Sequence, residues 1–130
     1  MIQEDKELLL TDLCARLPYG VVCDIYNETC TIKEKLLFGG ITRFADDTIC
    51  VRPYLRPMSS MTDEESNELE SITFPLMEKD WDGNENPACI RWIDIPKYMD
   101  FILSHHFDYR GLIEKGLAIE VTKENNPYKD

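Results

Sequence analysis

Residues 104–108 read Ser104-His105-His106-Phe107-Asp108 and place a hydroxyl, two imidazoles and a carboxylate side by side. A hydrolytic triad needs those groups brought together in space around an oxyanion hole. Five consecutive residues at one helix end do not point at one another in that way, and the sequence has no G-x-S-x-G elbow. Adjacent histidines on a helix diverge by about 100°, which makes them poor joint metal ligands. One of the pair is expected to pack or cap near a helix C-terminus, and the other to be solvated. Asp46-Asp47 and Asp80-x-Asp82-Gly83 could attract a cation, and the second resembles the opening of a calcium loop. That loop needs a bidentate Glu at its twelfth position, where counting from Asp80 gives Arg91. No G-x-x-x-x-G-K-S/T or G-x-G-x-x-G is present, so a standard nucleotide loop is not expected. Cys14, Cys23, Cys30, Cys50 and Cys89 include no C-x-x-C. They are read as reduced thiols acting as small buried hydrophobes, with no metal and no cofactor implied.

The arginines carry more information. Arg43, Arg52, Arg56, Arg91 and Arg110 lie beside Phe44, Tyr54, Trp92 and Tyr109 in stretches that should pack. A guanidinium is a planar fork suited to carboxylates, phosphates and aromatic faces. Arg52, Tyr54, Arg56 and His105 therefore form one candidate site, for a small anionic ligand or a nucleotide. A plainer role is also open, in which Arg52 and Arg56 pair with the acidic stretch 62–70 and stack on Tyr54.

The second candidate is that acidic stretch. Between residues 62 and 85 nine acids meet one base, Lys79, which accounts for −8 of the chain's net charge of −11. Asp63, Glu64, Glu68, Asp80, Trp81 and Asp82 could face a basic partner protein, with Trp81 as an anchor among the acids.

These side chains need elements to position them. Residues 5–17 carry Leu9, Leu13 and Leu17 four apart, an amphipathic helix that Pro18 ends. Alternation from Gly20 predicts a strand through Tyr26, a turn at Asn27-Glu28 and a returning strand from Thr29. A third apolar run follows at 36–38, continuing through Ile41–Phe44, and then a strand at 48–54. Arg52–Pro57 reads as the exit from the sheet, because proline removes ladder donors. Thr62 and Glu65 make a capping box for a helix to about Ile72. A further helix is placed at 96–106, a turn or short helix at 107–113 and a last strand at 117–121. Residues 123–130 read as a polar, frayed tail. The fold expected is one α+β domain over 1–122: an N-terminal helix, a small antiparallel meander (a curled sheet or small barrel), two helices and a C-terminal strand. Ile32 and Leu37 are among the residues assigned to its core.

Three segments together resemble a known family. They are Asp12-Leu13-Cys14-Ala15-Arg16-Leu17-Pro18-Tyr19-Gly20-Val21, Arg52-Pro53-Tyr54-Leu55-Arg56-Pro57-Met58-Ser59-Ser60-Met61-Thr62, and His105-His106-Phe107-Asp108-Tyr109-Arg110-Gly111-Leu112-Ile113. The family comprises short proteins met in gut anaerobic bacteria, their prophages and their phages. The resemblance implies a cytosolic setting and carries over no catalytic or binding residue.

Composition narrows the classes. With 43% hydrophobic and 30% charged residues, the 130-residue chain is globular rather than disordered. A net charge of −11 argues against a protein that coats double-stranded nucleic acid. The acidic start and short apolar runs match neither a signal peptide nor a membrane span. The reading is a cytosolic, non-catalytic protein-interaction module using an acidic surface. Its alternative is an anionic-ligand or nucleotide-binding protein, with or without enzymatic activity, built on Arg52, Arg56 and a histidine.

Overall fold

Helix α1 (Gln3–Arg16) buries Leu9 and Leu13 on one stripe, and Pro18 tightens its end into a single 3-10 turn at Leu17–Tyr19. Gly20 then turns the chain at φ 70°, a left-handed conformation in which glycine is free of strain. A computed structural model describes residues 2–75, 91–93 and 95–128. The chain divides into two compact units, residues 1–60 with 102–130, and residues 61–101.

In the first unit β1 (Val22–Tyr26) pairs antiparallel with β2 (Thr31–Lys35) and with β3 (Cys50–Pro57). Two short late strands, β6 (Phe107–Asp108) and β7 (Ile119–Glu120), add to β3 in parallel. The order is β2-β1-β3-β6 with β7 also on β3, and the sheet does not close into a barrel. Cys23, Val51 and Leu55 face the core beside Leu9, Leu13, Val21, Leu112 and Leu117. The alternate positions Asp24, Tyr26, Cys50, Arg52 and Tyr54 share the opposite face.

Several expectations are corrected. The run after β2 is a helix, α2 (Phe38–Ala45), whose Ile41 and Phe44 are buried at helical spacing. Gly40 lets α2 approach the sheet: a Cβ there would lie 3.2 Å from Leu36 Cδ1 and 4.0 Å from Ile25 Cδ1. Leu36, rather than Leu37, joins the core, and Ile32 sits on an edge strand, half exposed.

Arg52–Pro57 lies inside the sheet rather than at its exit. Leu36 N–H donates to Val21 C=O, and Asn27 N–H to Cys30 C=O. Antiparallel alternation then turns the main chain of residues 22, 24 and 26 toward β3, where Cys50, Arg52 and Tyr54 answer them. Pro53 and Pro57 have the other parity, so neither is asked to donate to β1. Where β1 and β3 part, the Tyr128 hydroxyl donates to Tyr54 C=O at 2.7 Å and accepts from Val22 N–H at 3.0 Å. The tail is therefore tied to the sheet at Tyr128. Among the described cysteines only Cys23 is buried, and desolvation pushes its thiol up to about 12; Cys14, Cys30 and Cys50 are exposed.

The second unit contains α3 (Asp63–Ile72), β4 (Thr73–Pro75), β5 (Arg91–Ile93) and the start of α4 (Ile95–Ser104). The capping box forms as read: Thr62 N–H donates to Glu65 Oε1 at 2.9 Å, and Glu65 N–H to Thr62 Oγ1 at 3.2 Å. Strands β4 and β5 pair antiparallel.

Candidate functional site

Two loops frame a cleft at one end of the sheet. In the β1–β2 hairpin, Asn27 Oδ1 accepts from Thr29 N–H at 2.9 Å and Cys30 N–H at 3.0 Å. Between α2 and β3, Asp46 Oδ1 accepts from Thr48 N–H at 3.1 Å and from the Thr48 hydroxyl. Those bonds to Thr48 hold the Asp46 carboxyl below its ordinary range. Each loop is thus fixed by a side chain that bonds its own backbone. Asp47 takes a positive φ of 67°, and its carboxylate is bound by Lys6 from α1.

The cleft between these loops has a volume of about 610 Å³ and is lined by Tyr26, Glu28, Thr29, Thr48, Ile49 and Cys50 among others. A second cavity of about 300 Å³ is lined by Asp5, Tyr26, Cys50, Arg52, Gly116 and Leu117. The two share Tyr26 and Cys50, which sit directly opposite each other on β1 and β3. Volumes of this order suit a small ligand.

Arg52 stands at the end of this groove with its guanidinium 5.7 Å from the centre of the Tyr26 ring. Among the described residues no carboxylate pairs with it; Asp5 lines the same cavity without forming an ion pair. The expected pairing with the 62–70 helix and stacking on Tyr54 are replaced, for Arg52, by this contact with Tyr26. The arrangement offers an aromatic face, a bidentate cation and an exposed thiol within one concavity.

The other residues of the first candidate set have different surroundings. Tyr54 lies two positions along the same face of β3 but is buried, its hydroxyl donating to Asp24 Oδ1 at 2.8 Å, with Lys33 Nζ 4.9 Å above its ring. Burial and that carboxylate push its phenol up to about 12. Arg56 packs its guanidinium 4.4 Å from the Phe107 ring and donates to Ser60 C=O at 3.3 Å. The His105 ring lies 6.2 Å from the same phenylalanine. Arg56 and His105 thus flank Phe107, whereas Arg52 belongs to the groove.

The sequence segment 105–110 turns out to tie the first unit together. Asp12 and Arg16, one turn apart on α1, are both fully buried and joined at 2.6 Å. Arg16 Nη2 donates to Phe107 C=O at 2.6 Å, and Arg110 Nε to Asp12 Oδ1 at 3.2 Å. Asp108 accepts from Leu112 N–H and Ile113 N–H at 2.9 and 3.0 Å, closing the turn. Arg56 N–H donates to His106 C=O at 2.8 Å. The three segments quoted for the family resemblance therefore meet in one joint. His106, at φ 62°, stacks on Tyr128 with ring centres 3.7 Å apart. Desolvation, helped by Arg16, His105 and Arg56, lowers its pKa to about 4.

Of the acidic candidate set, Asp63, Glu64 and Glu68 are exposed on α3. Asp80, Trp81 and Asp82 lie outside the described residues, as does Cys89. Among the described residues no cluster of three or more His, Cys, Asp or Glu could hold a metal ion, and no helix is long and apolar enough to cross a membrane.

Sequence reasoning missed Tyr26 and Cys50. Their alternation with Ile25 and Val51 was visible, but their facing register across β1 and β3 depends on where the hairpin turns. A comparison with protein-family models, with curated proteins and with solved structures finds no match to the chain.

Proposed function

We propose that the protein is a cytosolic, non-enzymatic binding protein whose groove at Tyr26, Cys50 and Arg52 takes a small anionic ligand bearing a planar ring, of the nucleotide class. The single observation that carries this reading is Arg52. In a chain with 25 acidic residues, its guanidinium stands in a concavity beside an aromatic face and, among the described residues, without an ion pair. A phosphate or carboxylate would satisfy the fork, while the ring of the ligand would lie on Tyr26. The Thr29 and Thr48 hydroxyls line the larger cleft and, with their protons given to Asn27 Oδ1 and Asp46 Oδ1, would accept from the ligand's polar edge. A phage or prophage setting, as the family resemblance implies, forms part of the proposal.

Calorimetric titration with adenosine monophosphate, adenosine and inorganic phosphate tests it. The monophosphate is expected to bind more tightly than either fragment. Arg52→Glu should remove the phosphate's contribution and Tyr26→Ala the ring's, each by about tenfold. Equal affinity in the wild type and both variants would refute the reading.

A second reading rests on α3. Glu64 and Glu68 stand one turn apart, Asp63 and Glu70 flank them, and the helix holds no base. An exposed acidic helix face of this kind is electrostatically complementary to a basic partner protein. Capture of such a partner should weaken as salt rises and fail for a Glu64→Gln, Glu68→Gln variant; salt-independent capture would count against it.

A further inference from the structure

Strand β2 ends the sheet. Ladder alternation directs the main-chain groups of Ile32 and Glu34 toward β1 and leaves those of Thr31, Lys33 and Lys35 facing outward. Among the described residues no strand pairs with that edge. All five residues of β2 are exposed.

The two faces flanking the edge differ in chemistry. One carries Lys33 and Lys35, and no carboxylate pairs with either among the described residues. The other carries Ile32, 50% exposed, opposite Ile25, and beside it the exposed Glu34, opposite Cys23. Helix α2 starts on that side, since Gly40 approaches Ile25, and its first turn presents Leu37 at 67% and Phe38 at 70% exposure. Three of the five most exposed large apolar side chains among the described residues thus gather at one corner. Natural edge strands are usually short of such apolar flanks, because a bare edge beside them invites another strand.

A second copy of this chain is a poor occupant. In the symmetric antiparallel register that pairs all of β2 with itself, Lys33 falls opposite Lys33. Cross-strand pairing favours an incoming strand with carboxylates on the lysine face and an apolar side chain opposite Ile32. We infer that β2 is an acceptor edge for an extended partner segment alternating acidic and apolar residues, which adds as a further strand. Main-chain bonds to residues 31, 33 and 35 would supply affinity, and the two faces would supply specificity. This surface is separate from the Arg52 groove, so either assignment can fail alone.

The probe is a fluorescein-labelled peptide alternating Glu and Val, long enough to span β2, read by fluorescence anisotropy with the full chain. Two further peptides are methylated on the Glu nitrogens or on the Val nitrogens. Strand addition uses only alternate residues of the incoming chain, so one methylated peptide should lose binding and the other keep it. A Lys33→Glu, Lys35→Glu variant should weaken the parent peptide by about tenfold, and Phe38→Ala should weaken it several-fold. Bound peptide should slow exchange of the Lys33 and Lys35 amide protons. No binding, or equal binding of both methylated peptides, would overturn the inference. Arg52→Glu is expected to leave peptide affinity unchanged.

Discussion

The buried pair Asp12–Arg16 shows how one carboxylate can organise a unit. It holds Arg16 on α1 and accepts from Arg110 in the turn after β6, so it links two distant segments. Removing it leaves Arg16 charged and buried without a counter-ion among the described residues, held by the Phe107 carbonyl and with the Tyr109 ring centre 5.6 Å away. Asp12→Ala should therefore lower unfolding free energy by about 3–5 kcal/mol, measurable by urea titration. His106 makes a second prediction. Its pKa is about 4 in the folded chain against 6.5 ordinarily. Between these values the unfolded chain binds a proton that the folded one refuses, so stability falls as pH drops from 6.5 toward 4. Above that window His106 contributes no pH dependence. The effect is about 1–2 kcal/mol once partial exposure is allowed for. His106→Asn tolerates the positive φ and should flatten the slope across that window. Asp12 and Arg16 stand at ion-pair spacing in the sequence. An i, i+4 charge pair looks the same at a surface as in a core until the covering segment is known.

At the scale of elements, what could be read depended on whether a local signal agreed with its surroundings. The Thr62–Glu65 box and the Leu9–Leu13 stripe are local and were legible. Thr62→Ala should cost about 1 kcal/mol of stability, seen as a lower thermal midpoint. Helix α2 was misread because Gly39-Gly40 argues against a helix, while burial of Ile41 and Phe44 overrides that preference. Only Gly40 is required there. A Cβ at Gly39 would meet nothing within 4 Å, so Gly39→Ala should stabilise by about 0.5–1 kcal/mol. Gly40→Ala must instead displace Leu36. The prolines of β3 misled for a related reason. Proline argues against a central strand only where its missing N–H faces a partner, and the parity of Pro53 and Pro57 is fixed by a register that no local pattern reveals.

The whole molecule divides its charge unevenly. Residues 61–101 hold eleven acids and three bases, while the rest of the chain holds fourteen acids and eleven bases. The exposed sheet face of the first unit carries Lys33, Lys35 and Arg52, with Asp24 engaged by Tyr54. The groove lining itself also holds Asp5, Glu28 and Asp47, the last bound by Lys6, so the anionic-ligand reading rests on Arg52. Arg52 is a candidate in the sequence by residue type alone, and the α+β class was legible there. The groove was not, because it is assembled from a hairpin turn, a helix-to-strand turn and the start of α1.

Cys50 provides the most direct test, since its exposed thiol lies inside the groove while Cys14 is exposed on α1. Alkylation of each cysteine is followed by peptide mass spectrometry with and without adenosine monophosphate. The account predicts that the nucleotide slows modification of Cys50 and leaves Cys14 unchanged, with the protection lost in Arg52→Glu. Equal modification of Cys50 at saturating nucleotide, or protection that survives Arg52→Glu, would contradict it.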